Sequence, residues 1–275
     1  MLNALITGLH RSGTTLICHL LNKLPNAVAL DEPIDVSIFQ NSSEEEIVKA
    51  IHSFFLNQRF HILDEGMATS KTVAGKVPSN QLADATSHGA RQSVIDSHRL
   101  LISNVSGVDF DLFVKHPAVF TAMLPCLEKH FPCFANIRNP LSVLLSWRTC
   151  NFNVTNGRAP AAEMLDPALK HRLDAQEDRL ERQLILLDFF FSRYADCRET
   201  TIIRYEDVVA TSGRALSVMK KTASRFTEPL SSRNALGIDD SSEVETIAKK
   251  LLNDASNACW RFYDQADILA LLPTL

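Results

Sequence analysis

The sequence predicts an α/β fold: three layers, α/β/α, around a central parallel sheet. Three observations predict it. Short, largely apolar runs alternate with amphipathic stretches. The apolar runs lack the polar alternation of half-exposed strands, as expected of a parallel sheet covered on both faces. A glycine turn joins the first run directly to the first helix.

The elements follow in order. NALIT, residues 3–7, reads as a buried strand, and TTLICHLL continues it with Leu16, Ile17, Leu20 and Leu21 at helical spacing. NAVAL, closing at Leu30, leads into DEPID. Residues 41–55 begin a helix that Ser42 or Ser43 can cap, with Glu44, Glu45 and Glu46 in its first turn. Residues 62–90 are polar and turn-rich, an excursion over the active face, with a helix resuming near Arg91. DLFVKHP (111–117) and FPCFANIRNP (131–140) are strands, each followed by a helix with a proline in its first turn. Residues 160–195 are helical, as one helix or two. TIIRY (201–205) is a strand, a helix runs from about Glu206 to Lys221, and the tail forms a loop, a helix from about Val244 and a last apolar helical segment.

Composition bounds the function. The net charge of −4 offers no basic face for nucleic acid. No membrane span is visible, because Thr7, Gly8, His10 and Arg11 interrupt the apolar opening, which runs into a strand rather than a signal peptide. Six scattered cysteines show neither a disulfide framework nor paired ligand spacing, so reduced thiols and a cytoplasmic location are expected. Neither a monomer nor a homo-oligomer is selected.

Ligands of open α/β sheets lie beyond the carboxyl ends of the strands. That places the Gly8–Thr15 loop, Lys115 with His116, Arg138 and Tyr205 on one edge. Backbone amides of a glycine turn entering a helix make an oxyanion nest, to which Ser12, Thr14 and Thr15 add hydroxyls and Arg11 a planar cation. A capped strand–turn–helix without a ligand is the plain alternative. A Walker loop would carry lysine where Thr14 stands, and the strands at 111–116 and 132–138 end in Lys-His and Arg without an aspartate for magnesium. Group transfer with fixed cations and no metal is therefore expected. Arg138 and Ser146, eight residues apart, can face a second anion across two helical turns, although an ion-paired arginine and a surface serine would look the same in sequence.

At these residues the chain resembles the sulfotransferases that use 3′-phosphoadenosine 5′-phosphosulfate (PAPS) and release adenosine 3′,5′-bisphosphate (PAP). GLHRSGTTLICHLL is similar to that family's 5′-phosphosulfate loop, RNPLSVLLSW to its 3′-phosphate motif and RYEDVV to its RYED element. The resemblance spans residues 1 to about 220. It implies a P-loop nucleoside triphosphate hydrolase-like fold, one domain over 1–275, and substrate-covering excursions at about 31–100 and 150–195. It assigns Arg11, Ser12, Gly13, Thr14 and Thr15 to the 5′-phosphate and sulfonate, Arg138 and Ser146 to the 3′-phosphate, and Tyr205 to the adenine. Glu206 and Asp207 start and cap the next helix. The tail lacks the glycine- and lysine-rich terminal motif of the cytosolic branch, which places the chain nearer the bacterial and Golgi-type branches. Arg233, in SSRN, is a candidate late cofactor or substrate contact.

The implied reaction transfers a sulfonate to a hydroxyl or amine of a small-molecule, glycan or lipid acceptor, with Lys115 at the sulfonate or on the surface. Two residues compete as base. Glu32, in DEPID, is similar to the Glu-Pro after the second strand in bacterial and Golgi-type enzymes and is preferred. His116 is the rival, in a compressed form of the cytosolic Lys-x-His-x-Pro. Like charge and burial are expected to raise the carboxyl's pKa. His10 is expected to pack or hydrogen-bond within the loop. The other open functions are a P-loop small-molecule kinase using ATP and magnesium, and a non-catalytic anion-binding protein.

Overall fold

Five parallel strands set the positions of everything else. The computed structural model describes residues 1–83, 91–234 and 241–272. In chain order the strands are β1 (Asn3–Gly8), β2 (Ala27–Asp31), β3 (Met67–Thr72), β4 (Ser97–Leu101), β5 (Asp111–Lys115), β6 (Cys133–Ile137) and β7 (Thr201–Arg204). The helices before β7 are α1 (Thr14–Leu21), α2 (Glu44–Glu65), α3 (Pro117–Ala122), α4 (Leu124–Leu127), α5 (Pro140–Arg148), α6 (Pro160–Leu165), α7 (Pro167–Asp174) and α8 (Arg179–Asp196). After it come α9 (Tyr205–Ala210), α10 (Ser241–Asn253) and α11 (Gln265–Leu269).

The main sheet has the order β2-β5-β1-β6-β7, all parallel, within a three-layer α/β/α architecture. Every residue of β2 and β6 is buried, as strands covered on both faces must be. The register aligns the carboxyl ends: Asp31 pairs with Lys115, Gly8 with Asn136 and Ile137 with Arg204. The next residues along these strands, Leu9, Glu32, His116, Arg138 and Tyr205, therefore leave the sheet along one edge.

Local chemistry explains the boundaries. Ser43 and Glu46 form a capping box at α2, with three glutamates in its first turn. Pro117 and Pro140 open α3 and α5, where a missing amide hydrogen costs nothing, and Asn139 caps α5 by accepting from the Leu141 and Ser142 amides. Asp178 caps α8 through the Glu181 amide.

Several expectations are corrected. α2 runs on to Glu65, and the polar excursion then forms the antiparallel β3–β4 hairpin instead of resuming a helix near Arg91. The buried positions of β3 are Ala68, Ser70 and Thr72 and that of β4 is Leu100 alone, so the period-two pattern carries little apolar signal. Arg91 instead bridges to Cys150. The ATSHGA part of the excursion and the ALGIDD part of the tail loop lie outside the described residues. Residues 160–195 form three helices, α6, α7 and α8; Asp166 before Pro167 is extended, as a pre-proline residue prefers, and separates the first two. The helix expected over 206–221 stops at Ala210, because Ser212 and Gly213 adopt left-handed conformations and short 3-10 turns follow. The tail helix starts earlier, at Ser241.

Candidate active site

The loop between β1 and α1 is held from several sides. Gly8 has φ 155°, and a Cβ there would lie 2.5 Å from the Asn136 carbonyl oxygen; Gly13, at φ 95°, would put one 2.8 Å from the Tyr205 ring. Both positions require glycine for close approach. Trp147 Nε1 donates to the His10 carbonyl at 2.8 Å and Asn136 Nδ2 to the Ser12 carbonyl at 2.5 Å. Arg11, between these anchors, is left-handed at φ 69°.

Ser12 corrects the expectation that it offers its hydroxyl to an anion. Its side chain is fully buried, and its hydroxyl and amide both donate to the Leu9 carbonyl, at 2.8 and 3.1 Å. It braces the turn. Arg11, Gly13, Thr14 and Thr15 do line a cavity of about 680 Å³ beyond the strand ends, together with Glu32, Lys115, Arg138, Ser146, Tyr205 and Arg233.

One group in this cavity is a carboxylate–lysine cluster. Lys115 is buried, not on the surface, and donates to Asp31 Oδ1 at 2.7 Å, Glu32 Oε1 at 2.8 Å and Thr15 Oγ1 at 3.4 Å. Burial opposes its charge, but the two carboxylates outweigh burial and raise its pKa. Asp31, at the end of β2, also accepts from Gln81 Nε2 at 2.8 Å. Lys71 of β3 reaches Glu32 Oε2 at 2.5 Å. Glu32 is thus held by two ammonium groups while its side chain stays 23% exposed to the cavity.

The expected rise in the Glu32 pKa is corrected as well. Burial pushes it up, but Lys115 and Lys71 hold it well below the usual carboxylate range. Its backbone, at φ 47°, is left-handed for a non-glycine residue, a strain of about 1–3 kcal/mol of the kind that clusters at functional sites.

His116 sits deeper. Its Nε2 accepts the Ile34 amide at 3.0 Å, which requires the proton on Nδ1, and burial lowers its pKa to about 3. His10 packs edge-on against Phe190, its pKa lowered to about 4 by burial, and its Nδ1 has no hydrogen-bond partner.

The second group is cationic. Ser146 Oγ accepts from Arg11 Nε at 3.3 Å and from Arg91 Nη2 at 3.4 Å, and Arg91 Nη2 also donates to Thr149 Oγ1 at 2.9 Å. Burial, then the nearby Arg91, lower the Arg11 pKa to about 10, so Arg11 stays charged at neutral pH. Asn80 Oδ1 accepts from Arg11 Nη1 at 3.1 Å. The expected partnership of Arg138 and Ser146 is therefore indirect. Both line the cavity, but Ser146 meets Arg11 and Arg91, while Arg138 turns to the tail.

Arg138 donates to the Arg11 carbonyl at 2.9 Å, Asn234 Oδ1 at 2.9 Å and the Arg233 carbonyl at 2.5 Å. Its guanidinium lies 4.7 Å from the centre of the Tyr205 ring. The Tyr205 hydroxyl accepts the Arg233 amide at 3.1 Å, and Glu206 ties the Asn139 amide, Asn234 and the Tyr263 hydroxyl together. Glu206 is thus a cross-link, not only a helix-start residue, and it holds Asn234, the neighbour of the cavity-lining Arg233.

Sequence reasoning missed Arg91, Lys71, Asn80 and Gln81, all from the excursion between β2 and β5. A polar segment facing the active edge was the only signal for them. Among the described residues, no group of three His, Cys, Asp or Glu could hold a metal ion, and no helix is long and apolar enough to cross a membrane.

No protein-family profile and no curated protein matches the chain. Among solved structures it is similar to the sulfotransferase domain from the Synechococcus PCC 7002 olefin synthase, at 14% identity and a TM-score of 0.39, covering 98% of this chain and 92% of that one. It is also similar to sulfotransferase STF1 from Mycobacterium tuberculosis H37Rv, at 14% identity and a TM-score of 0.33, covering 100% of this chain and 77% of that one. At these values neither likeness assigns an activity to this chain.

Proposed function

We propose that the protein is a PAPS-dependent sulfotransferase, one domain of P-loop-like fold whose sheet edge and excursions enclose the donor. The observation that carries this reading is one cavity with two distinct cationic groups, Lys115 beside Thr15 and Arg11 with Arg91 on Ser146. A donor with phosphate groups on both its 3′ and 5′ oxygens meets both. The motif order of the sequence supports the same donor, as does threonine in place of the Walker lysine. Asp31, the aspartate that ends β2, is engaged by Lys115 and Gln81, which favours this reading over a magnesium-dependent kinase.

The residues fit distinct roles. The amides entering α1, with Thr14 and Thr15, bind the 5′-phosphate end. Arg91, Ser146, Thr149 and Arg11 form the 3′-phosphate clamp, and Arg138 fixes the Arg11 carbonyl and the tail behind it. Tyr205 holds Gly13 and Arg233 at the adenine side. Lys115 neutralises charge developing on the leaving phosphate oxygen.

Glu32 takes the acceptor proton. Lys115 and Lys71 keep it ionised before substrate arrives; an anionic donor that draws these lysines toward itself loosens their hold and makes the carboxylate more basic. His116, whose acceptor nitrogen is engaged by Ile34, is a poorer candidate. No metal enters this scheme.

The test is transfer of labelled sulfonate from PAPS across alcohols, sugars and amines. Transfer in the presence of EDTA is the expected result. Tight PAP binding without transfer to any acceptor would favour the non-catalytic reading.

A further inference from the structure

A second cavity, of about 350 Å³, adjoins the first, and His10, Glu32 and Pro117 line both. We infer that it is the acceptor site and that it takes an uncharged aliphatic alcohol. This rests on the donor reading above. Its volume is at the small end for ligand pockets.

The lining selects the class. Ile34, Val36, Pro117, Ala118, Val119 and Ala161 make an aliphatic wall, and no Phe, Tyr or Trp among the described residues offers a ring for stacking a sugar or an aryl group. Three of the polar groups are already engaged, and His10 Nδ1 is left without a partner. Lys71 pairs with Glu32, Asp35 accepts the Ser37 amide, and His116 Nε2 accepts the Ile34 amide. Burial keeps His10 and His116 neutral at pH 7, with pKa values lowered to about 4 and about 3. An anionic acceptor meets the Glu32 and Asp35 carboxylates and a cationic one meets Lys71, while a polyhydroxylated body would leave most of its hydroxyls unbonded against the aliphatic wall.

A hydroxyl at the Glu32 end is placed for in-line transfer. The alcohol oxygen forms a bond to sulfur as the bond from sulfur to the bridging oxygen breaks. The bridging oxygen keeps that electron pair as part of the bisphosphate, and the hydroxyl proton passes to Glu32. The products are an alkyl sulfate and PAP.

The experiment uses the full chain with 1-butanol, 1-pentanol and 1-hexanol, and with glucose and ethanolamine as polar and charged controls. Methyl resonances of Ile34, Val36 and Ala118 are followed by NMR without donor, and kcat/KM is measured with PAPS. The alcohols should shift these methyls, with affinity rising about fourfold per added methylene until the cavity is full. Transfer to 1-hexanol should exceed transfer to glucose or ethanolamine at least about tenfold. Ala161→Phe, or Ala161→Leu if the larger residue disturbs folding, should cut transfer to 1-hexanol at least about tenfold while PAP affinity stays within about twofold.

Unmoved methyls, preferred transfer to glucose or ethanolamine, or an unchanged rate in a variant that still binds PAP would each overturn the inference. Failure of the wild type to bind PAP would instead overturn the donor reading, and the methyl shifts would still decide whether the cavity takes an alcohol.

Discussion

The two walls of the proposed donor cavity differ in how they are built. One is the carboxyl edge of the sheet, where parallel register brings Glu32, Arg138 and Tyr205 into line with the glycine loop. The other comes from the excursion between β2 and β5, which supplies Asn80, Gln81 and Arg91 to the cavity and Lys71 to Glu32 beside it, all through long-range bonds. In the proposed reaction the edge places the reacting groups, because its residues are held by several partners. The excursion adjusts charge there: Lys71 adds to the hold that Lys115 has on Glu32, and Arg91 completes the cluster on Ser146. Changes at the edge should therefore affect turnover, and changes in the excursion should affect affinity.

The largest effect is expected at the edge. Glu32→Gln should lower kcat at least about a hundredfold while PAP affinity is preserved, because a general base is lost and the donor contacts are not. Near-normal kcat would return the base to another residue and erase the functional distinction between the walls.

Arg91→Ala sharpens the comparison from the other side. Losing a hydrogen bond to a charged phosphate, about 1.5 kcal/mol or more, should weaken PAP binding at least about tenfold while AMP, which lacks the 3′-phosphate, changes little. Equal losses for both nucleotides in calorimetry would show that Arg91 supports the fold of the cavity and not the 3′ position.

The smallest effect separates His116 from the catalytic residues on the same edge. Its pKa is lowered to about 3 in the folded chain, against 6.5 as the ordinary value. Above pH 6.5 both states are neutral and stability is unaffected; as pH falls below 6.5 the unfolded chain takes up a proton that the folded chain refuses, and stability is lost. His10 acts in the same direction down to about 4. Between pH 6 and 5, His116→Gln should reduce this loss by about 1 kcal/mol in denaturant titrations. Identical slopes in variant and wild type would mean that His116 is not held neutral by the fold.

The same contrast explains what was legible in the sequence. β1, β5, β6 and β7 stood out because each is a short run of Val, Ile, Leu, Phe or Ala, and the proline starts of α3 and α5 followed from chemistry local to them. The loop was legible through Gly8 and Gly13, whose neighbours Asn136 and Tyr205 leave no room for a side chain. Ser12 was misread because its composition suits an anion site, whereas its inward direction depends on the turn closing on Leu9. The β3–β4 hairpin escaped because the buried face of β3 is Ala68, Ser70 and Thr72 and β4 buries only Leu100. Arg91 escaped for a different reason: no local pattern tells a polar segment which arginine will reach a serine 55 residues away.

The proposed ligand of the cavity is a nucleotide phosphorylated at both the 3′ and 5′ positions and held without a metal. Titration calorimetry with PAP and with ADP, each in EDTA and in excess magnesium, tests it most directly. The account predicts that PAP binds at least about tenfold more tightly than ADP, the margin of one further charge-assisted phosphate contact, and that magnesium leaves its affinity unchanged. Tighter binding of ADP, dependent on magnesium, would contradict it.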